Sequence, residues 1–381
     1  MTSTASPAAP ADGADEFIFS PEQEELRATL RRYLGNHFGR DELRRAIDLP
    51  EGLDRTSWKA IARDLGLPAI VVPEPLGGAG GTAIELAIIG EELGRVLYCS
   101  PWFGSCALAI PALAAAGGDR ADDLTRALAA GQATATVVSD ELINPTGGSG
   151  RLTATGGADA TIEGVARFVI DGAAAEHLIV LADDDQGESA YLLDGRSGVT
   201  AAPLATLDLT RPLAEVRFTA APAHRLGEPG AAAAVKRQLA LTAGLASTAE
   251  SLGGMQFCLD LASEYTKTRL QFGRPIGSFQ AVKHKLADML VQVEICRTAV
   301  QHAAWTVASG APDAALAVHL AQAQVGDSYL AVTAENIQVH GGIGFTWDHD
   351  AHLYYRRAKA AQLLFGSAGY HRDQVAKLVG I

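Results

Sequence analysis

The sequence predicts an α+β fold with three parts in chain order: an N-terminal α-helical domain, a middle β-barrel or β-sandwich domain, and a C-terminal four-helix bundle. Two changes of hydrophobic periodicity carry this prediction. Apolar residues recur at helical spacing in residues 16–131 and again in residues 229–381. Residues 132–228 instead contain short apolar runs separated by Gly, Asp, Asn and Pro, which is typical of strands and turns. With 381 residues, 48% of them hydrophobic, the chain is long enough for two or three domains with sizeable cores.

The N-terminal part predicts a tail followed by helices. Residues 1–15 are rich in Ala, Pro, Ser and Thr, and they lack the charged-then-apolar order of a signal peptide, so we expect a disordered tail. Residues 20–38 begin with Ser-Pro-Glu-Gln, an N-cap with a proline and a Glu/Gln-bearing first turn, which predicts a helix. Further helices are predicted near residues 54–65 and 83–97, on either side of a Gly/Pro-rich loop.

The middle and C-terminal parts differ in the length of their apolar segments. Short strands are predicted near residues 134–138, 166–170, 177–182, 190–193 and 215–218. Long helices are predicted near residues 231–266, 281–308, 313–340 and 352–378. The C-terminal part is therefore large enough to form a four-helix bundle by itself.

Charge and cysteine content exclude several function classes. The net charge of −13 argues against nucleic acid or an anionic membrane as the main partner. No apolar run approaches the ~18 residues of a membrane span. The four cysteines are far apart and form no CxxC pair, which indicates reduced thiols in a cytoplasmic protein. No metal site is predicted, because no metal-ligand spacing joins His284, His340, His352 and His371.

Two glycine-containing segments carry groups suited to a phosphorylated ligand. Arg269 and Gln280 flank a Gly/Pro turn, where a guanidinium suits bidentate pyrophosphate binding and an amide can read a nucleotide edge. Gly341 and Gly342 follow a predicted helix, and paired glycines let backbone amides approach phosphate oxygens. Taken singly, each segment is also explained by an ordinary helix connection or helix end.

Together with several shorter motifs, these segments resemble the acyl-CoA dehydrogenase family over nearly the whole chain. The matching motifs are Trp58 with Leu65-Gly66-Leu67, Pro73-Glu74 with Gly77-Gly78, Glu91-Glu92-Leu93-Gly94-Arg95, Asp208-Leu209-Thr210-Arg211, Arg269-Leu270-Gln271-Phe272-Gly273, and Gln338 to Gly342. The resemblance implies a tetramer and an FAD between the β-domain and the bundle, with its ADP half reaching a neighbouring subunit. It also implies that the ADP half is held by Arg269, Phe272, Gln280, Gln338, Gly341 and Gly342.

No carboxylate stands at either position where the resemblance expects the catalytic base. In the family a carboxylate takes the α-proton of an acyl-CoA substrate while the flavin takes the β-hydride, and electrons pass to an electron-transfer flavoprotein or a similar acceptor. The base must be accurately placed and shielded from water. Its two family positions correspond here to Gly366 and Ala243, and neither residue accepts a proton. Glu250 is a weak candidate about 10 Å further along the same helix as Ala243, and Glu228 lies in the preceding loop.

The middle domain departs from the family as well. Ile170 stands where the family carries a threonine that contacts the flavin ring, and the usual Thr-Glu-Pro segment is unrecognisable in residues 139–144. The departures from the family's motifs fall at positions that the resemblance assigns to the flavin ring and the substrate, whereas the motifs assigned to the ADP half are retained. Two functions therefore stay open: a homotetrameric FAD-dependent acyl-CoA dehydrogenase with an unconventional base, or a catalytically silent subunit of a heterotetramer that donates ADP-side contacts to a homologous partner. A third reading, other chemistry on the same flavin fold, has no residue specifically in its favour. The sequence does not identify the acyl chain.

Overall fold

The computed structural model describes residues 18–139, 143–145, 151–193 and 195–381. The predicted tail at residues 1–15 lies outside these ranges, as do residues 140–142 of the 139–144 segment. The described chain runs through a helical region, a mixed sheet and a second helical region. This order confirms the predicted α+β fold class, while the exact residue boundaries between the parts stay a prediction.

The N-terminal region is a set of helices around one core. In chain order these are α1 (Pro21–His37), α2 (Arg40–Ile47), α3 (Arg55–Leu65), α4 (Ala83–Arg95), α5 (Ile110–Ala116) and α6 (Asp119–Ala129). A π-helical segment, Phe103–Ala109, leads directly into α5. α1 begins where the sequence predicts because Ser20 and Gln23 form a reciprocal capping box. The helices α2 and α6 were not predicted from the sequence.

The middle region is a seven-stranded sheet that closes on itself. Its strands are β1 (Ala135–Val138), β2 (Thr153–Thr155), β3 (Asp159–Ile170), β4 (His177–Asp184), β5 (Gly187–Leu193), β6 (Val199–Pro203) and β7 (Leu213–Leu226). β4 pairs with both β2 and β5, β2 with β3, and β7 with both β3 and β5, which completes a ring. Ile162, Tyr191 and Phe218 belong to a core inside this ring that is separate from the main helical core.

The C-terminal region contains α7 (Ala232–Thr268), α8 (Gln280–Ala308), α9 (Ala314–His340), α10 (Ala351–Ala361) and α11 (Ala368–Val379). A two-stranded hairpin, β8 (Leu270–Gln271) and β9 (Arg274–Pro275), connects α7 to α8. The prediction of one last helix over residues 352–378 is wrong. Phe365 and Gly366 have φ angles of +64° and +111°, outside the right-handed helical region, so the chain turns between α10 and α11.

The long helix α7 joins the two helical regions by close packing against α4. A Cβ on Gly94 would lie 2.0 Å from the carbonyl oxygen of Glu250, and one on Gly253 would lie 1.9 Å from that of Glu91. The two backbones can approach this closely only because both positions are glycine. This contact fixes the place of Glu250 relative to the N-terminal region. In the described part of the chain, no helix has the length and apolar character to cross a membrane.

Candidate functional site

The residues predicted to hold the ADP half lie at one end of the C-terminal helices. Arg269 directly follows α7, and Tyr265 lies one turn before it. The Tyr265 ring packs on His340 with centroids 4.4 Å apart, and Gly341 is the next residue after His340. This aromatic contact brings the two glycine-containing segments to the same end of the bundle.

These residues form an open surface. All six are exposed: Arg269, Phe272, Gln280, Gln338, Gly341 and Gly342. A Cβ on either Gly341 or Gly342 would meet no atom within 4 Å, so the backbone here is accessible to a ligand. Arg269 forms no ion pair with any described residue. A free guanidinium, two side-chain amides and accessible glycine backbone suit the pyrophosphate and nucleoside of an ADP group.

A second group of residues lies buried where the three regions meet, and we name it the junction cluster. It consists of Phe103, Asp171, Asp208, Arg211, Glu250, Arg357 and Phe365. All three regions contribute, because Phe103 precedes α5, Asp171 follows β3, and Glu250 lies on α7. The sequence identified Glu250 as a weak candidate base, but it did not identify the cluster.

Glu250 is held by two arginines. Arg211 donates to its Oε2 atom, and Nη1 of Arg357 lies 3.6 Å from the same atom. Arg357 also donates to Asp208 at 2.7 Å and to the Thr210 hydroxyl at 2.6 Å. Burial tends to lower the pKa of Arg357, but the carboxylates of Asp208 and Glu250 outweigh it and raise that pKa above its ordinary value. Burial lowers the pKa of Arg211, opposed in part by Glu250.

Two phenylalanine rings connect the arginines of the cluster to the turn between α10 and α11. The Arg211 guanidinium lies 4.1 Å from the ring centroid of Phe103. Phe103 stacks on Phe365 with centroids 5.6 Å apart, and the Phe365 amide donates to the Ile143 carbonyl at 2.9 Å. The turn between α10 and α11 is thus bonded directly to the segment that follows β1. The cavity left beside these residues measures about 10 Å³, room for about one water molecule.

Asp171 is an unusual member of the cluster. It is buried, and its Oδ2 atom has no hydrogen-bond partner among the described residues. Burial raises the pKa of its carboxyl group to about 7. In the preceding residue, the Ile170 carbonyl accepts a hydrogen bond of 2.8 Å from the buried Thr136 hydroxyl. The sequence contains no pattern that singles out Asp171, because its burial depends on contacts between regions.

Neither expected base position can be served by a carboxylate. A Cβ on Gly366 would lie 2.5 Å from the Tyr370 ring and 3.0 Å from Nε2 of His371. Ala243 is fully buried within α7. Glu228 is exposed in the turn before α7, and roughly 27 Å of helix, at about 1.5 Å per residue, separates the start of α7 from Glu250. Glu228 therefore does not reach the junction cluster.

The predicted ADP contacts and the junction cluster differ in exposure. The exposed end of the C-terminal helices fits an ADP group, as its open guanidinium and glycine backbone show. The junction cluster packs where the β-region meets the helices, and the cavity that its side chains line measures about 10 Å³. Within the described ranges, no three metal-binding side chains come together. All four cysteines are free and buried.

Comparison with known proteins gives consistent matches. The family model described as "Acyl-CoA dehydrogenase, C-terminal domain" matches residues 231–380, and "Acyl-CoA dehydrogenase, N-terminal domain" matches residues 20–130. The curated acyl-CoA dehydrogenase IpdE2 of Mycolicibacterium smegmatis is 37% identical over 361 residues, which cover 94% of this chain and 98% of that protein.

Solved structures share the architecture. The ChsE4-ChsE5 complex from Mycobacterium tuberculosis gives a TM-score of 0.85 at 28% identity, covering 96% of this chain and 98% of that chain. A variant of the Tcur3481-Tcur3483 steroid ACAD also gives 0.85 at 28% identity, covering 94% of this chain and 98% of that chain.

Proposed function

The chain belongs to the acyl-CoA dehydrogenase family, whose members are FAD flavoproteins, and we propose that it is a catalytically silent subunit of a heteromeric acyl-CoA dehydrogenase. A homologous partner supplies the flavin-ring pocket and the catalytic carboxylate. This chain supplies contacts to the ADP half of the partner's FAD. The junction cluster is the observation that carries the proposal, because its buried side chains pack together directly beside Gly366, one of the two expected positions of the base.

Proton abstraction next to a thioester makes strict demands that this chain does not meet by itself. The base must be a free carboxylate beside the substrate. Hydrogen-bond donors must also be in position to stabilise the negative charge that develops on the thioester oxygen. Gly366 and Ala243 provide no carboxylate, and Glu250 is neutralised by Arg211 and Arg357. Its carboxylate is therefore already engaged by two guanidinium groups.

The ADP-side residues have the opposite character. Groups that serve a neighbouring subunit must lie on the surface, and Arg269, Gln280 and Gln338 are all exposed. In the proposed assembly, the Arg269 guanidinium binds the pyrophosphate through two parallel hydrogen bonds. The amides of Gly341 and Gly342 approach the same phosphates, and the side-chain amides orient the nucleoside. The ChsE4-ChsE5 complex is a precedent for a relative built from two different chains.

The assembled enzyme belongs to the oxidoreductases of lipid metabolism. FAD bound in the assembly accepts the β-hydride of an acyl-CoA, and an electron-transfer flavoprotein or a similar acceptor reoxidises it. We place the protein in the cytoplasm, since its four buried cysteines are all free. The steroid ACAD among the relatives supports a bulky, steroid-derived acyl group as the substrate class. Assays of the complex with steroid-derived and short-chain acyl-CoA thioesters test this choice.

Purification of the chain alone and with a homologous subunit tests the proposed function. We expect the lone chain to be colourless and inactive, and the co-expressed complex to contain FAD and to oxidise acyl-CoA. Arg269→Ala should lower the FAD content of the complex, whereas Arg32→Ala, which removes an exposed arginine on α1, should not. A lone chain that binds about one FAD per subunit and turns over acyl-CoA would contradict the proposal.

A further inference from the structure

We propose that Trp347 anchors this chain to its FAD-carrying partner subunit, an inference that rests on the proposed function. The indole is 55% exposed. It lies five residues after Gly342, so at most about 18 Å of chain separates it from the predicted ADP contacts. A partner whose FAD reaches Gly342 must therefore place its protein surface near Trp347.

Exposed apolar side chains surround the predicted ADP contacts. The segments on either side of them expose Leu270, Phe272, Ile343, Phe345 and Trp347. Phe345 is 74% exposed, and Leu207 of the β-region adds a further exposed side chain nearby, because its carbonyl accepts a hydrogen bond from Arg356. An exposed apolar patch of this kind, next to polar groups, is typical of a protein–protein contact.

Trp347 is held in place before any partner binds. The guanidinium groups of Arg356 and Arg44 lie 5.1 Å and 5.8 Å from its ring centroid. Arg44 is itself fixed by an ion pair with Asp350. Beneath the indole, the buried His352 ring makes an edge contact at 4.6 Å. A large aromatic side chain that is already ordered loses little conformational entropy on association, which is a property of strong binding anchors.

The charge beside Trp347 specifies the partner's chemistry. Arg356 forms no ion pair within the described part of the chain, and its hydrogen bond to Leu207 is long at 3.4 Å. We therefore expect the partner to offer a carboxylate to Arg356 and an apolar recess to Trp347. The occupant is a homologous subunit that carries FAD, because the predicted ADP contacts and Trp347 lie in the same short stretch of chain.

The test measures assembly and FAD content separately. The chain is co-expressed with a homologous acyl-CoA dehydrogenase subunit that is chosen because it has a glutamate at the position corresponding to Gly366. The dissociation constant of the purified complex is measured by dilution and light scattering. Trp347→Ala should weaken the complex by about 30-fold or more, the size of a hot-spot truncation. Leu378→Ala, which truncates a side chain that is 52% exposed on α11, should leave it unchanged.

The two readouts distinguish failure of this inference from failure of the proposed function. A Trp347→Ala complex as tight as wild type overturns the anchor, whatever its FAD content. A wild-type chain that assembles only with itself and binds its own FAD overturns the proposed function and the anchor together. An Arg269→Ala complex that keeps both its affinity and its FAD overturns the ADP contact of Arg269 and the argument that places the partner near Trp347, while the affinity of Trp347→Ala still tests the anchor directly. Circular dichroism of Trp347→Ala and the conservative variant Trp347→Phe separates loss of contact from loss of fold, since Trp347→Phe should recover most of the affinity.

Discussion

Substitution of Glu250 tests whether the junction cluster is closed in solution. The side chains of Glu250 and Arg211 are only 12% and 8% exposed. Glu250→Gln keeps the shape of the side chain but leaves the Arg211 guanidinium buried without its carboxylate. Removing one partner of a buried ion pair costs about 3–5 kcal/mol of unfolding free energy. We therefore expect Glu250→Gln to be among the most destabilising conservative substitutions in the chain.

The two partners of the pair should respond unequally. Arg211→Met removes the cation and its contact with Phe103, but Arg357 still lies 3.6 Å from Glu250 and partly compensates its charge. We expect this variant to cost less than Glu250→Gln. The double variant Arg211→Met with Glu250→Gln removes both charges, so its cost should fall well below the sum of the two single costs.

Denaturant unfolding followed by circular dichroism provides the measurement, with the unfolding midpoint and slope recorded for each variant. Asp123→Asn is a matched control, because Asp123 pairs with Arg126 on the surface, where the two side chains are 78% and 50% exposed. Its expected cost is about 0–1 kcal/mol. If Glu250→Gln lowers the unfolding free energy no more than Asp123→Asn does, the junction cluster is hydrated in solution. That result would refute the argument from its burial.

Three further outcomes follow from the same geometry. Gly366→Glu should not restore dehydrogenation, measured with an artificial electron acceptor, because its Cβ would lie 2.5 Å from the Tyr370 ring; activity from this single change would show that the turn can rearrange. Burial lowers the pKa values of His352 and His371 to about 4, so the native state disfavours their protonation. Both imidazoles should therefore stay neutral in the native protein as the pH falls through about 6.5, which NMR titration of the ring protons measures; a native imidazole that becomes protonated near pH ~6.5 would contradict this. Gly94→Ala should lower the melting temperature strongly, because its Cβ would lie 2.0 Å from a backbone oxygen of α7, and a melting temperature equal to wild type would show that the two helices can separate at little cost.

The sequence predicts those features of the fold that depend on local chemistry. The start of α1 follows from the Ser20 and Gln23 capping box, and the strands follow from alternating apolar runs ended by turn residues. The last predicted helix fails because its apolar pattern continues through residues 362–367. The left-handed conformation of Phe365 is imposed by its stacking on Phe103 and by its bond to Ile143, contacts with residues more than 200 positions away. A pattern read along the chain does not contain that information.

The candidate site divides in the same way. Arg269 and Gly342 could be proposed as ADP contacts from the sequence because their motifs are short and contiguous. The sequence also predicts that no carboxylate stands at Gly366, because this requires only the residue type at one position of the motif. The junction cluster could not be predicted from the sequence. Arg211, Glu250 and Phe103 come from three separate segments, and nothing in the sequence of each segment specifies the other two as partners.

The physics of packing links the missing base to the junction cluster. An internal ligand site that no longer binds its ligand becomes a cavity, and cavities destabilise proteins by about 24 cal/mol per Å³. A site of about 300 Å³, small for a ligand pocket, would then cost about 7 kcal/mol, comparable to the whole stability of a typical domain. Under the proposed function, side chains must refill such a site, and Phe103, Phe365 and the pair of Arg211 with Glu250 are the buried groups that would do so. The surface residues Arg269 and Gln338 are under no such constraint, since a contact exposed to solvent leaves no cavity when it is unused. Under the proposed function, a refilled internal site with retained external contacts is the pattern expected when one active site is divided between two subunits.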